Sequence, residues 1–363
     1  MAGVYISYPF CARKCTFCNF ASGVFPRDLE ERYTAALCAE LARFRWRWTP
    51  ETVYIGGGTP SRMSADALAR VLSLVPGRPW REATIEAAPG AITPEQAEAW
   101  RSAGINRVSL GVQSFVAREL AGTGRTHSAA AVASDVAALR AVGITDFNID
   151  LIAGLPRQTA QGWEESLDWI ERLEAPHVSV YMLEVDEDSR LGAEMLRGGA
   201  RYGAAEAPGE AQVVAFYERA VERLERAGIR QYEISNFARP GSESLHNLKY
   251  WRLEPYAGFG ADAHSFDVVP GRKQAVRRQN PETVQEYLAG APPLETPATP
   301  EERFFVGLRL REGIPLSDED RARHADTIAR HTSLGRLEEH AGRLRLTRRG
   351  ILFSNEVLQD FLP

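Results

Sequence analysis

The chain has 363 residues, of which 44% are hydrophobic and 25% charged, with a net charge of -5. That length supports a large core and suits more than one domain, and the mild acidity gives no electrostatic case for nucleic acid or an anionic membrane. No apolar run approaches the roughly 18 residues of a membrane span, "MAGVYISYPFC" lacks the build of a signal peptide, and 4 cysteines are too few for a disulfide scaffold, so a reducing cytoplasm is the expected location.

In chain order, residues 4–8, 52–57, 83–87, 107–112, 147–154, 177–184 and 231–235 are rich in Val, Ile, Tyr and Thr and predict strands. Several read as continuous apolar runs, as parallel strands buried on both faces do. Segments with helical spacing separate them. Asp28 with Glu31 suggests a capping box, followed by an apolar stripe of Leu29, Tyr33, Leu37, Leu41 and Phe44. Gly104, Gly143 and Gly228 each close a helical segment just before a strand, as glycines past a helix end do. Repeated strand–helix units predict an α/β fold, a partial parallel (β/α) barrel over residues 1–235, with its chemistry at the C-terminal strand ends.

Residues 236–290 form a connection that carries "HNLKYW" (246–251). From residue 291 a Pro-rich stretch leads into a helix, a hairpin-like "RLEEHAGRLRLTRRG" and a final helix, which predicts a small winged-helix-like domain over 291–363. A helical cap packed on the barrel is the alternative.

"CARKCTFC" places Cys11, Cys15 and Cys18 within one loop just past the first strand. Three thiolates so close suit a metal. A structural zinc site wants four ligands, usually as two pairs, whereas Cys38 lies mid-helix as a small core residue. A [4Fe–4S] cluster normally takes four cysteines, so three leave one iron free for another ligand.

The spacing Cys-x3-Cys-x-Phe-Cys after a first strand resembles the radical S-adenosylmethionine (radical SAM) superfamily, in which the free iron chelates SAM. The resemblance implies that Tyr5 contacts SAM and that Phe17 lies near its adenine. It also implies that Gly57, Gly58 and Thr59 of "GGGTPS" hold the methionine end and that Glu86 binds the ribose hydroxyls. Gln113, Arg125 and Asp150 fall on matching strand-end positions, and Met182 and His264 match two further SAM contacts by a looser alignment. Ala88 stands where the family pattern usually has Asn.

Downstream, "HNLKYW" followed by "YAGFGADAHS" resembles the His-Asn-x-x-Tyr-Trp motif of the HemW family of haem chaperones, within the coproporphyrinogen-oxidase-like branch. In that family the histidine is tied to haem, which makes His246 the candidate haem ligand. The resemblance runs from Tyr5 to residue 362. It implies a chaperone that binds haem, a [4Fe–4S] cluster and SAM, and that passes haem to acceptor proteins such as respiratory enzymes. A homodimer and peripheral membrane contact stay open. The alternatives are an oxygen-independent coproporphyrinogen III oxidase, which typically has a cysteine where this chain has Phe20, and a related radical SAM methyltransferase. A zinc module is the weakest reading.

Overall fold

The computed structural model describes residues 2–268, 271 and 274–362. Six β-rich segments form consecutive parallel strands: β1 (Ala2–Tyr8), β2 (Pro50–Gly57), β3 (Glu82–Ala87), β4 (Arg107–Gln113), β5 (Asp146–Ala153) and β6 (His177–Met182). Helices Arg27–Arg43, Ala65–Ser73, Pro94–Ser102, Ala129–Ala141 and Ala160–Arg172 fall between successive strands. Parallel neighbours require such crossovers.

The strands alternate rather than reading apolar on both faces. Val4, Ile6, Val53, Ile55, Ile85, Val108, Leu110, Ile149 and Val180 are buried in one cluster with the helical Leu37, Leu68, Trp100, Leu139 and Trp163. Their neighbours Tyr5, Tyr54, Glu86, Ser109, Asn148, Asp150 and Ser179 occupy the opposite, concave face. The barrel interior is therefore lined with polar side chains rather than packed as an apolar core.

The predicted strand at 231–235 is instead a tight antiparallel hairpin, β7 (Arg230–Gln231) and β8 (Asn236–Ala238), with β8 antiparallel to β6. Glu233, Ile234 and Ser235 form its turn, and the 235/236 division drawn from the sequence falls inside the hairpin. At the other edge β9 (Tyr256–Phe259) lies parallel to β1, and β10 (His264–Asp267), β11 (Val276–Gln279) and β12 (Leu294–Pro297) continue antiparallel. The 12-stranded sheet ends on β12 and β7, so the barrel is open.

The expected capping box at Asp28 and Glu31 does not form. The helix starts at Arg27 behind Pro26, with no side-chain cap, and puts Asp28 inside the first turn. Gly104, Gly143 and Gly228 do take the left-handed conformation past their helices.

Helix Glu302–Gly307, strand β13 (Ile314–Pro315), helices Asp318–Arg323 and Ala325–Ser333, and the hairpin β14 (Leu337–His340) and β15 (Arg343–Leu346) follow. The strand order β13-β15-β14 is that of a winged helix. This unit is tied to the barrel where Arg311 N donates to Tyr232 O (2.9 Å) and Glu233 bridges Leu310.

Candidate functional site

The cysteine loop leaves β1 at the barrel mouth and is held on several sides. Cys11 N donates to Gly23 O (2.8 Å), and Gly23 N to Pro9 O (2.9 Å). Thr16 N donates to Thr123 O (3.0 Å), Thr16 Oγ1 to Gly122 O (3.0 Å), and Leu191 N to Thr16 O (2.7 Å). All three thiols are free; Cys11 is buried and Cys15 and Cys18 are half-buried. Burial pushes the Cys15 thiol up, Arg125 opposes this by charge and hydrogen bonding, and the neighbouring sulfurs of Cys18 and Cys11 push it higher. Ionising all three thiols beside a single guanidinium would leave a donor set short of positive charge, which iron would supply. Among the described residues, no three His, Cys, Asp or Glu side chains converge as a single metal ion requires. A cubane gives each thiolate its own iron, so its ligands stand apart.

The strand ends beside this loop bring most of the expected residues together. Glu86 on β3 accepts from the Tyr54 hydroxyl at 2.9 Å and from Gly57 N at 3.1 Å. Burial, reinforced by the nearby Asp150 carboxylate, pushes Glu86 up to about 7 despite these bonds and Arg125. Asp150 is also raised by burial, while Asn148 donates to it at 2.7 Å. The buried Tyr5 phenol is raised too, by desolvation and then by Glu86. Arg125 acts on Cys15, Glu86 and Asp150 alike, so these groups share one cavity wall, and its Nε is buried without a partner.

Glycines keep this wall open. A Cβ on Gly111 would stand 3.1 Å from Arg125 Nη2 and 3.2 Å from Gln113 Nε2, and one on Gly56 would be 3.0 Å from Glu86 Oε1. Gln113 ends β4 at φ 70, a left-handed conformation costly for a non-glycine residue. The "GGGT" turn is committed in part: Gly58 N donates to Tyr8 O (2.8 Å) and Thr59 N to Phe10 O (3.0 Å). With Gly57 N on Glu86, the amides of Gly57, Gly58 and Thr59 are all used internally. What this turn offers a ligand is carbonyl oxygens and the Thr59 hydroxyl.

Other expected residues stand apart. Phe17 is half-buried within the cysteine loop. Met182 ends β6 and packs on the main core. His264 opens β10, half-exposed, 4.0 Å from Asp262, whose charge reaches Tyr5.

His246 lies at the opposite end of the barrel. Helix Leu245–Trp251 packs against the floor, where Glu82 accepts from Ser244 Oγ (3.2 Å), Leu245 N (2.6 Å) and His246 N (3.0 Å). Lys249 Nζ, 2% exposed, pairs with Glu51 (2.5 Å) and Glu254 (3.1 Å). The His246 ring is fully buried, with Nδ1 on Thr52 Oγ1 (2.9 Å) and Nε2 on the Tyr250 hydroxyl (2.7 Å). Burial and the Lys249 and Arg107 charges push it down to about 3. Both ring nitrogens are engaged, so this arrangement offers no lone pair to haem iron. What His246 does touch is Tyr54, on which it stacks at 5.3 Å, and Tyr54 holds Glu86.

Sequence reasoning passed over Tyr54, Gly111 and His127. Tyr54 pairs in register with Tyr5 and shares its face, a signal readable from period two. Gly111 interrupts a strand of large residues, a usual mark of close approach. His127 follows Arg125 by two residues and is bonded to the backbone of Ser114 and Val112. Burial and Arg125 push it down to about 4, and its Nε2 is buried without a partner.

The radical SAM superfamily model matches residues 5–170, and the HemN C-terminal domain model matches residues 296–353. The heme chaperone HemW of Mycobacterium tuberculosis (strain CDC 1551 / Oshkosh) is 35% identical over 99% of this chain and 94% of its own length. The heme chaperone HemW of Bacillus subtilis (strain 168) is 31% identical over 100% and 99%. Among solved structures, the radical SAM enzyme coproporphyrinogen III oxidase (HemN) from Escherichia coli superposes with a TM-score of 0.80 over 99% of this chain and 89% of its own, at 20% identity, which speaks to fold alone. With the partial barrel, the three-cysteine loop and the C-terminal domain in place, the chain belongs to the HemW family of the radical SAM superfamily, a family that implies a [4Fe–4S] cluster and SAM.

Proposed function

We propose that this protein is a cytoplasmic haem chaperone that binds haem and hands it to haem-dependent acceptors, respiratory enzymes among them. Full-length similarity to heme chaperones carries this reading. The absence of a cysteine at Phe20 favours it over the oxidase.

Cys11, Cys15 and Cys18 would hold the cluster, which when bound supplies an open iron for SAM and a one-electron reductant. Arg125 suits a carboxylate, and it also tempers the charge on Cys15. Glu86, fixed by Tyr54 and Gly57 N, would accept from ribose hydroxyls, and such donors favour its ionised form against the burial that raises it. Asp150 and Gln113 would complete the polar wall, with Tyr5 and Phe17 as flat apolar neighbours. We assign no haem-ligand role to His246.

The test uses anaerobically reconstituted, reduced protein. One sample is titrated with haem, and the other is incubated with SAM and coproporphyrinogen III. A stoichiometric haem spectrum, its transfer to an apo-haem protein and no protoporphyrinogen are expected. Protoporphyrinogen formation would replace the chaperone by the oxidase.

A further inference from the structure

The loops at the barrel mouth border a solvent-open depression of about 670 Å³ behind the cysteine loop, lined by Arg13, Thr16, Gly122, Arg157, Arg190 and Tyr202 among others. None of the residues assigned above to SAM lines it. The volume lies within the range of small-molecule sites.

Its construction is costly. Arg157 (φ 66) and Tyr202 (φ 61) both hold the left-handed conformation, each at a cost of the order of 1 kcal/mol. A Cβ on Gly122 would fall 2.2 Å from the Tyr202 carbonyl oxygen, so the two loops meet only through a glycine. Gly124, also in the lining, lies against the cysteine loop: its Cβ would be 3.7 Å from Cys15 Cα. Strain at non-glycine residues concentrates where a ligand must be met.

The charge is one-sided. Arg157 is neutralised by Glu206 at 2.8 Å. Arg190 donates to the Lys14 carbonyl and lies 5.7 Å over the Tyr202 ring, and neither it nor Arg13 has a carboxylate partner among the described residues. Two guanidiniums without a carboxylate partner, beside an aromatic ring, match a flat molecule that carries two carboxylates. The elements that build the cavity also carry exposed apolar side chains, Phe20 in the cysteine loop and Leu196 on the helix begun by Arg190.

We infer that this cavity is the docking site for the propionate-bearing edge of haem, with Arg13 and Arg190 each receiving one carboxylate. The inference rests on the chaperone reading and adds a place to it. Haem seated there lies against the loop that carries Cys15, rather than at the barrel floor.

The test compares ferric haem with haem dimethyl ester, which keeps the ring and iron but lacks both charges. Reconstituted wild type, Arg13→Gln and Arg190→Gln are titrated with each and followed by absorbance. Wild type is expected to favour the diacid roughly tenfold or more. Each substitution should weaken haem binding by about that factor while leaving ester affinity, iron content and melting midpoint in place. Equal affinity of wild type for diacid and diester overturns the inference, as does a preference that survives both substitutions. Should Arg190→Gln not fold, the ester comparison and Arg13→Gln still decide. Wild type that binds neither porphyrin overturns the chaperone reading itself, which is a distinct outcome.

Discussion

The two ends of one polar barrel interior differ in how fully their groups are used. At the floor, Glu82 accepts four hydrogen bonds, Lys249 is paired twice, and both nitrogens of His246 are occupied. Among the described residues, Arg107 and Asp146, 3.8 Å apart, and Trp251 Nε1 at the end of the floor helix keep unbonded buried atoms there. At the mouth, Glu86 and Cys15 are both pushed up by burial, Arg125 and His127 each bury an unpartnered nitrogen, and Gln113 is strained. A saturated network holds a fold together; an unsaturated one is prepared for something else to complete it.

The sharpest break between the ends is expected from Cys15→Ala, which removes one of the thiolates and should abolish cluster assembly. Iron and sulfide content near zero after reconstitution, with an unchanged far-UV spectrum, is the expected result. At the floor, Lys249→Met leaves Glu254 facing Glu51 without its cation, and Glu51 with Arg81 alone at 3.3 Å. It should cost on the order of 3 kcal/mol in denaturant unfolding while leaving reconstitution intact. A smaller loss of about 2 kcal/mol is expected for His246→Ala, which strands the Thr52 and Tyr250 hydroxyls. That variant should still give a haem spectrum. If it keeps full stability yet loses the haem spectrum, the division between floor and mouth is wrong.

The smallest effect is a pH dependence at the mouth. Glu86 titrates near 7 when folded against an ordinary 4.5, so between those values the native state holds the extra proton. Its favourable contribution is complete below about pH 4.5 and lost as pH rises through 7. In apo protein, Glu86→Gln should therefore gain on wild type by about 1 kcal/mol on going from pH 5 to pH 8, once solvent access to this half-buried group is allowed for. Melting curves at the two pH values check it, and a constant difference between the proteins would refute it.

The six parallel strands were legible because their residues are β-formers at regular spacing with helix-closing glycines between them. Residues 231–235 misled for a physical reason: Tyr232 and Ile234 carry strand propensity, yet this stretch spends its backbone on a two-strand hairpin and on contacts with Arg311 and Leu310. The cysteine loop was legible because its ligand spacing is local. The seat of His246 was not, since Thr52 is 194 positions away and nothing in "HNLKYW" tells that the helix packs at the floor. The Arg13–Arg190–Tyr202 cavity was invisible for the same reason, being assembled from loops after β1, β4, β5 and β6.

The most direct measurement is the electron paramagnetic resonance spectrum of the reduced, reconstituted protein with and without SAM, in wild type, Glu86→Ala and His246→Ala. A cluster signal that SAM shifts in wild type and His246→Ala, and leaves in place in Glu86→Ala, is the predicted result. A colourless protein that retains zinc, or a cluster signal indifferent to SAM in wild type, would contradict it.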